Sequence, residues 1–297
     1  MMNMKIHILF LYCCISTVAL AQVPVTDLYL LQLTEQPSGT LHVHSPKYLS
    51  EFNEGGYTNQ PFFVSDQELY VSVRRKGDEQ NDIYAIQPEN RTIRKVTDTP
   101  ESEFSPTLFP ENGWIGCVRQ TTEGPNRQNL VVFPLDQSDN GQTLFPDQEN
   151  IGYFCPMDEQ SVALFLVGDE SRLAMSNIET GKTETRLSNI GRCLRKHPDG
   201  SLVYVHKYTD EYWYLKAYDL RNKRSSIIAE TLPGEEDFCL DAQGRVYMGK
   251  GSKLYVHPGI ENGEWTEIGD LSVYGIRNIT RLALNGNNQL ALISTHE

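Results

Sequence analysis

Residues 81–97, "NDIYAIQPENRTIRKVT", have the form of a β-hairpin. An apolar run from Ile83 to Ile86 meets a polar turn at Gln87 to Asn90, and a second run ends at Val96-Thr97. Successive strand residues point to opposite faces, so Ile83 and Ile86 need cover on two sides. Asp82 reads as a residue that caps a turn. A hairpin alone buries too little to be stable, so the rest of the chain must supply both covering surfaces.

It does so by repetition. Polar or Gly-containing turns followed by alternating apolar strands recur in "VSDQELYVSV" (64–73), "FPENGWIGCV" (109–118), "MDEQSVALFL" (157–166), "HPDGSLVYVH" (197–206), "LDAQGRVYMG" (240–249) and "LNGNNQLALI" (284–293). Gln67, Gly113, Gln160, Gly200, Gly244 and Asn288 mark equivalent points, spaced 46, 47, 40, 44 and 44 residues apart. Behind each turn comes a second strand, as in "DIYAI" (82–86) or "KLYVH" (253–257), then a weaker one, as in "RTIRKV" (91–96) or "EWTEIG" (264–269). Four antiparallel strands at this period describe a propeller blade, which covers its faces only by stacking against two neighbours. "DLYLLQL" (27–33) and "GTLHVHS" (39–45) match the two outer strands of a blade, and "ITRLALNGNNQLALIS" (279–294) matches the two inner ones. The expected fold is therefore all-β: a six-bladed β-propeller of four-stranded antiparallel blades, closed by a composite N-/C-terminal blade.

The first residues are of another kind. "MMNMKIHILFLYCCISTVALAQ" carries one Lys, an apolar core from Ile6 to Leu20, and small residues before Gln22. That is the layout of a secretory signal peptide over 1–21, cleaved after Ala21, with a single propeller domain over 22–297. No later segment approaches membrane-spanning length. The mature chain would hold 25 basic against 39 acidic residues, a net charge of −14. Such acidity argues against nucleic acid and anionic membranes as partners. Cys117, Cys155, Cys193 and Cys239 remain after cleavage. Export permits disulfides, and four cysteines allow three pairings, but buried free thiols are the preferred reading; none of the spacings is that of a metal site.

"QPFFVSDQELYVSVRRKGDEQNDIYAIQPENRTIRKVT" (60–97), with "SPTLFPENGWIGCV" and "HPDGSLVYV" later, resembles the TolB-like β-propeller repeat of exported bacterial proteins. The resemblance spans essentially the whole mature chain. It implies a periplasmic or secreted, monomeric protein of the cell envelope. In some relatives the propeller adjoins a serine-hydrolase or peptidoglycan-binding domain; neither pattern is found here, so a propeller alone is expected. The matching residues build strands and turns, so they speak for fold rather than function.

Function must be sought where the chain enters the innermost strand of each blade, because those loops converge on one mouth of the channel. They read "EGGYTNQP" (54–61), "PESEFSP" (100–106), "ENIGYFCP" (149–156), "SNIGRCLR" (188–195), "PGEEDFCL" (233–240) and "YGIRNITR" (274–281). At similar offsets they offer Asn59, Glu103, Tyr153, Arg192, Glu236 with Asp237, and Arg277. A purely structural position would keep one residue type; large polar residues that differ from blade to blade suit a ring facing an asymmetric ligand. The alternative is that they pair among themselves, Arg with Glu, and plug the channel. Longer loops at 74–81, 119–128 and 207–215 open on the same side, with Tyr208, Tyr212 and Trp213 as candidate anchors.

The leading expectation is a non-enzymatic scaffold that binds a protein, a peptide or a small ligand at this mouth, without a cofactor. A hydrolase or lyase at the same mouth, or a purely structural envelope component, are the alternatives. No catalytic motif is present, and His42 and His44, two apart, fall on an outer strand. Carboxylates at the blade mouths leave an oxygen-ligated Ca²⁺ site open.

Overall fold

The computed structural model describes residues 23–121, 127–139, 141–260 and 262–296. The expected leader at 1–21 lies outside them, as do residues 122–126 of the 119–128 loop. The chain opens with β1 (Thr26–Glu35) and β2 (Leu41–Tyr48). Blade one follows as β3 (Tyr57–Phe63), β4 (Leu69–Arg74), β5 (Asp82–Gln87) and β6 (Thr92–Lys95). Blade two comprises β7 (Ser102–Phe109), β8 (Trp114–Gln120), β9 (Gln128–Pro134) and β10 (Gln142–Thr143). Blade three holds β11 (Ile151–Pro156), β12 (Ser161–Leu166), β13 (Arg172–Asn177) and β14 (Thr183–Ser188). Blade four holds β15 (Ile190–Lys196), β16 (Leu202–Lys207), β17 (Trp213–Asp219) and β18 (Arg224–Glu230). Blade five holds β19 (Phe238–Leu240), β20 (Val246–Lys250), β21 (Lys253–His257) and β22 (Thr266–Asp270). The last strands, β23 (Asn278–Leu284) and β24 (Gln289–Thr295), join the first two in a sheet of order β2-β1-β24-β23.

Six four-stranded antiparallel sheets thus form a propeller, and the composite blade clasps the two ends of the chain through the β1–β24 ladder, Thr26↔Thr295 to Gln32↔Gln289. The innermost strands touch in a closed circuit: β3 to β7, then β11, β15, β19, β23 and back to β3. Apolar burial explains the closure. The core divides into six clusters, one at each seam between blades. Ile86 packs towards the composite blade with Leu69, Val71 and Ile293, whereas Ile83 packs towards blade two with Ile115 and Val131. The 81–97 hairpin is therefore covered on both faces, by different neighbours. Fully burying one such aliphatic side chain contributes about 1.5–3 kcal/mol, and a free edge blade would forfeit a whole seam.

Two details differ from the sequence pattern. The outer strand of blade two is only Gln142–Thr143, both exposed, which is too short to read from alternation. Asp82 does not cap a turn: it is buried and meets Lys95 Nζ at 3.2 Å across the blade. The four described cysteines are free and buried. Among the described residues no helix is long and apolar enough to cross a membrane.

Candidate functional site at the channel mouth

Strand direction sorts the loops into two faces. Every innermost strand starts at one face, called here the mouth. The loops entering it, and the loops joining second to third strands, open there. The turns joining first to second and third to fourth strands lie on the opposite face.

At the mouth, five of the six innermost strands break register: between Asn59 and Phe62, Phe104 and Thr107, Ile151 and Tyr153, Ile190 and Leu194, and Ile279 and Arg281. A bulge re-aims a side chain away from its alternating position. Gln60 and Ser105 take positive φ, 54° and 55°, inside two of these bulges. The Gln60 Oε1 then accepts from Ser72 Oγ at 2.8 Å and from the Ser105 amide at 2.9 Å, tying blade one to blade two. The same device aims Tyr153, Arg192 and Arg281 into the channel.

There the centre of the site is Asp237. Its Oδ2 accepts from Arg192 Nη2 at 2.6 Å and from Arg281 Nη1 at 2.6 Å, while Arg281 Nη2 donates to the Tyr153 hydroxyl at 3.0 Å. One carboxylate thus holds two guanidiniums, from blade four and from the composite blade. Burial works against the charge on both arginines, yet Asp237 beside them holds each above the ordinary arginine value. Arg281 Nε is buried without a partner among the described residues. Glu236 extends the cluster outward. It accepts from the Arg192 amide at 3.1 Å and pairs with Lys207 Nζ at 2.8 Å, which lies 4.4 Å from the Trp213 ring centre. Gly191 admits this approach, since a Cβ there would sit 3.0 Å from Glu236 Oε2. The Tyr57 phenol faces the same group of charges, and burial raises its pKa.

The remaining residues expected at the mouth are placed differently. Glu103 is fully buried within blade two, where Arg119 Nε donates to it at 3.0 Å and Thr97 Oγ1 at 3.2 Å, with Thr99 as a third donor. Burial holds its carboxyl above the usual range. This is the self-pairing arrangement, and it removes Glu103 from the channel. Asn59 is buried and its Oδ1 accepts from the adjacent Gln60 amide at 2.7 Å. Arg277 is exposed on the mouth loop, apart from the Asp237 cluster; the arginine that the composite blade sends inward is Arg281. Its signal was in the repeat. Gln60, Tyr153, Asp237 and Arg281 each precede the marker residue of the following turn by seven positions. Counting back from the turn, rather than forward along loops of unequal length, singles out Arg281.

Between these side chains the channel narrows to a cavity of about 50 Å³, lined by residues of all six innermost strands or the loops that lead into them. That holds a few waters or one small group, whereas pockets for drug-sized ligands span roughly 300–1,000 Å³. Among the described residues no group of three or more His, Cys, Asp or Glu is placed to hold a metal ion. His42 and His44 lie on β2, the outermost strand of the composite blade.

No family model matches the sequence, and no curated protein matches it. Solved structures do. A putative TolB from Agrobacterium tumefaciens superposes with a TM-score of 0.66 at 10% identity, over 93% of this chain and 99% of that one. The chain has the fold of the TolB-like six-bladed β-propellers. A chain of the nidogen/laminin complex matches with a TM-score of 0.59 at 12% identity, over 92% of this chain and 100% of that one. Oligogalacturonate lyase from Vibrio parahaemolyticus matches with a TM-score of 0.52 at 10% identity, over 91% and 98%. At such identities the likeness concerns the TolB-like fold alone, and these neighbours range from a protein complex to a lyase.

Proposed function

We propose that this propeller is an exported, non-enzymatic scaffold of the cell envelope that binds a protein, a peptide or a small ligand on its mouth face. The observation that carries this reading is where exposed apolar surface lies. Of the nine exposed large apolar side chains among the described residues, five occupy mouth loops: Val167, Tyr208, Tyr212, Val273 and Tyr274. Only Leu135 and Ile260 lie in turns of the opposite face. Tyr208 is 67% exposed and packs edge-on with Tyr214 and His206, so its ring is presented rather than free to collapse. Exposed aromatics beside a fixed charged cluster are the composition of a binding hot spot. The narrow channel suits capture at the mouth rather than engulfment of a substrate.

The test is a comparative pull-down from envelope extracts. Wild type and the turn-face control Ile260→Ser are expected to recover the same partner, and Tyr208→Ala/Tyr212→Ala to lose it. Unchanged recovery by the tyrosine variant would defeat the assignment to this face.

A further inference from the structure

The throat below the Asp237 cluster holds one arginine that no carboxylate among the described residues contacts by a hydrogen bond. Arg195 lies three residues beyond Arg192 on β15, on the side away from the mouth. It lines the cavity beside Phe62, Phe154 and Leu282. Its Nη1 donates to the Leu194 carbonyl at 3.0 Å, and that is its one hydrogen-bonding partner among the described residues. The neighbouring arginines are all engaged by carboxylates: Arg119 by Glu103, Arg192 and Arg281 by Asp237. Three thiols, Cys155, Cys193 and Cys239, and the Asp237 carboxylate stand in the field of Arg195. The thiols are not counter-ions, because burial keeps them protonated and pushes Cys155 up to about 11, and Asp237 is already bonded to Arg192 and Arg281. A half-buried guanidinium whose one nearby carboxylate is shared with two other arginines gains from an anion of its own.

We propose that the throat receives a single carboxylate, carried by the ligand that docks on the mouth, with the Arg195 guanidinium as its partner. This rests on the binding reading above and names the chemistry of the group that enters. A planar guanidinium offers paired donors at the spacing of a carboxylate. The cavity of about 50 Å³ is lined by three guanidiniums, Arg192, Arg195 and Arg281, against one carboxylate, Asp237, so it favours an anion, and its size suits a small planar one. The chain carries a net charge of −13, so an acid free in solution meets a repelling field. A carboxylate delivered on a larger ligand, such as a peptide C terminus, has further contacts at the mouth to offset that.

Calorimetric titration of the full chain tests this with three probes: a randomised N-acetyl tripeptide pool as free acids, the same pool as C-terminal amides, and sodium acetate. The acids are expected to bind at least tenfold tighter than the amides. Arg195→Gln should erase that difference while leaving the circular dichroism spectrum unchanged, and Arg195→Lys should give an intermediate loss. Saturable acetate binding that depends on Arg195, with no gain from the peptide, supports the carboxylate site and assigns it to a free acid. Equal binding of acids and amides, or an Arg195→Gln variant that binds acids as wild type does, overturns the proposal. So does wild type that binds no acid. The tyrosine pull-down is independent of Arg195, so failure here and failure of the mouth assignment are told apart.

Discussion

The two faces of the ring are built from the same repeat and weight their polar groups differently. Both carry contacts between blades, on the turn face Arg245 to Glu35 and the Gly286 amide to Asp66, but the local turn bond recurs on one face and the converging charge cluster lies on the other. On the turn face, a short polar side chain in five of the six first-to-second turns is spent on its own backbone. Asp158, Asp199, Asp241 and Asn285 each accept from the amide two residues on, at 2.9, 2.8, 2.9 and 3.1 Å, and Ser65 does the same at 3.2 Å. These are local turns closed by short side chains. On the mouth face the polar groups reach across blades: Arg192 and Arg281 to Asp237, Arg281 to Tyr153, the Arg192 amide to Glu236. Repetition of one residue role marks a face that maintains the fold. Variation marks a face whose groups must fit one another or a ligand.

That division predicts that mouth substitutions change binding and turn substitutions change stability, and Glu103–Arg119 is where it breaks. Arg119→Ala leaves a carboxylate buried beside one cation fewer, and is expected to cost about 3–5 kcal/mol at pH 7 although it lies on the mouth side. The pH dependence has a definite sign. Burial already raises the Glu103 carboxyl, and loss of Arg119 raises it further. Between the ordinary and the raised value the folded state binds more protons than the unfolded one, so stability rises as pH falls. The deficit in urea midpoint should therefore shrink from pH 7 towards pH 5. A deficit independent of pH would mean that Arg119 acts through packing alone.

Asp241 is the turn-face counterpart. Besides its turn it accepts from Arg245 Nε at 2.6 Å and from the buried Tyr247 hydroxyl at 3.0 Å. Asp241→Ala strands both donors and is expected to destabilise by about 2–3 kcal/mol, with peptide-acid binding unchanged. Altered binding would show that the faces communicate. The smallest effect belongs to Asp158→Ala, where one exposed turn bond is lost: about 0.5–1 kcal/mol in denaturant unfolding. A loss as large as that of Asp241→Ala would show that the turns, and not the seams, limit stability.

Legibility in the sequence followed the same divide. The blade period, the blade count and the shared closing blade could be read because strand alternation and turn residues are local and recur every forty-odd positions. The outer strand of blade two escaped because two residues carry no alternation. At the mouth, Tyr153, Arg192, Glu236 and Asp237 were legible as polar residues at the point where the chain enters a blade, and they do converge. Arg277 and Arg281 could not be told apart by counting along the loop, because a bulge between Ile279 and Arg281 shifts which side chain turns inward. Glu103 has the same chemistry and a matching position, but Arg119 and two threonines in its own blade region hold it away from the channel.

The sequence by itself determined the ring: alternating apolar residues at a fixed repeat leave every blade with two uncovered faces, and only closure covers them all. Tertiary structure alone decided which charges meet. Asp237, Arg192, Arg281 and Tyr153 come from four different blades, and Arg195 lines the same cavity with no carboxylate in hydrogen-bond contact among the described residues. Pairing across a ring depends on bulge geometry and on the approach of strands far apart in the chain, and neither is written in local spacing.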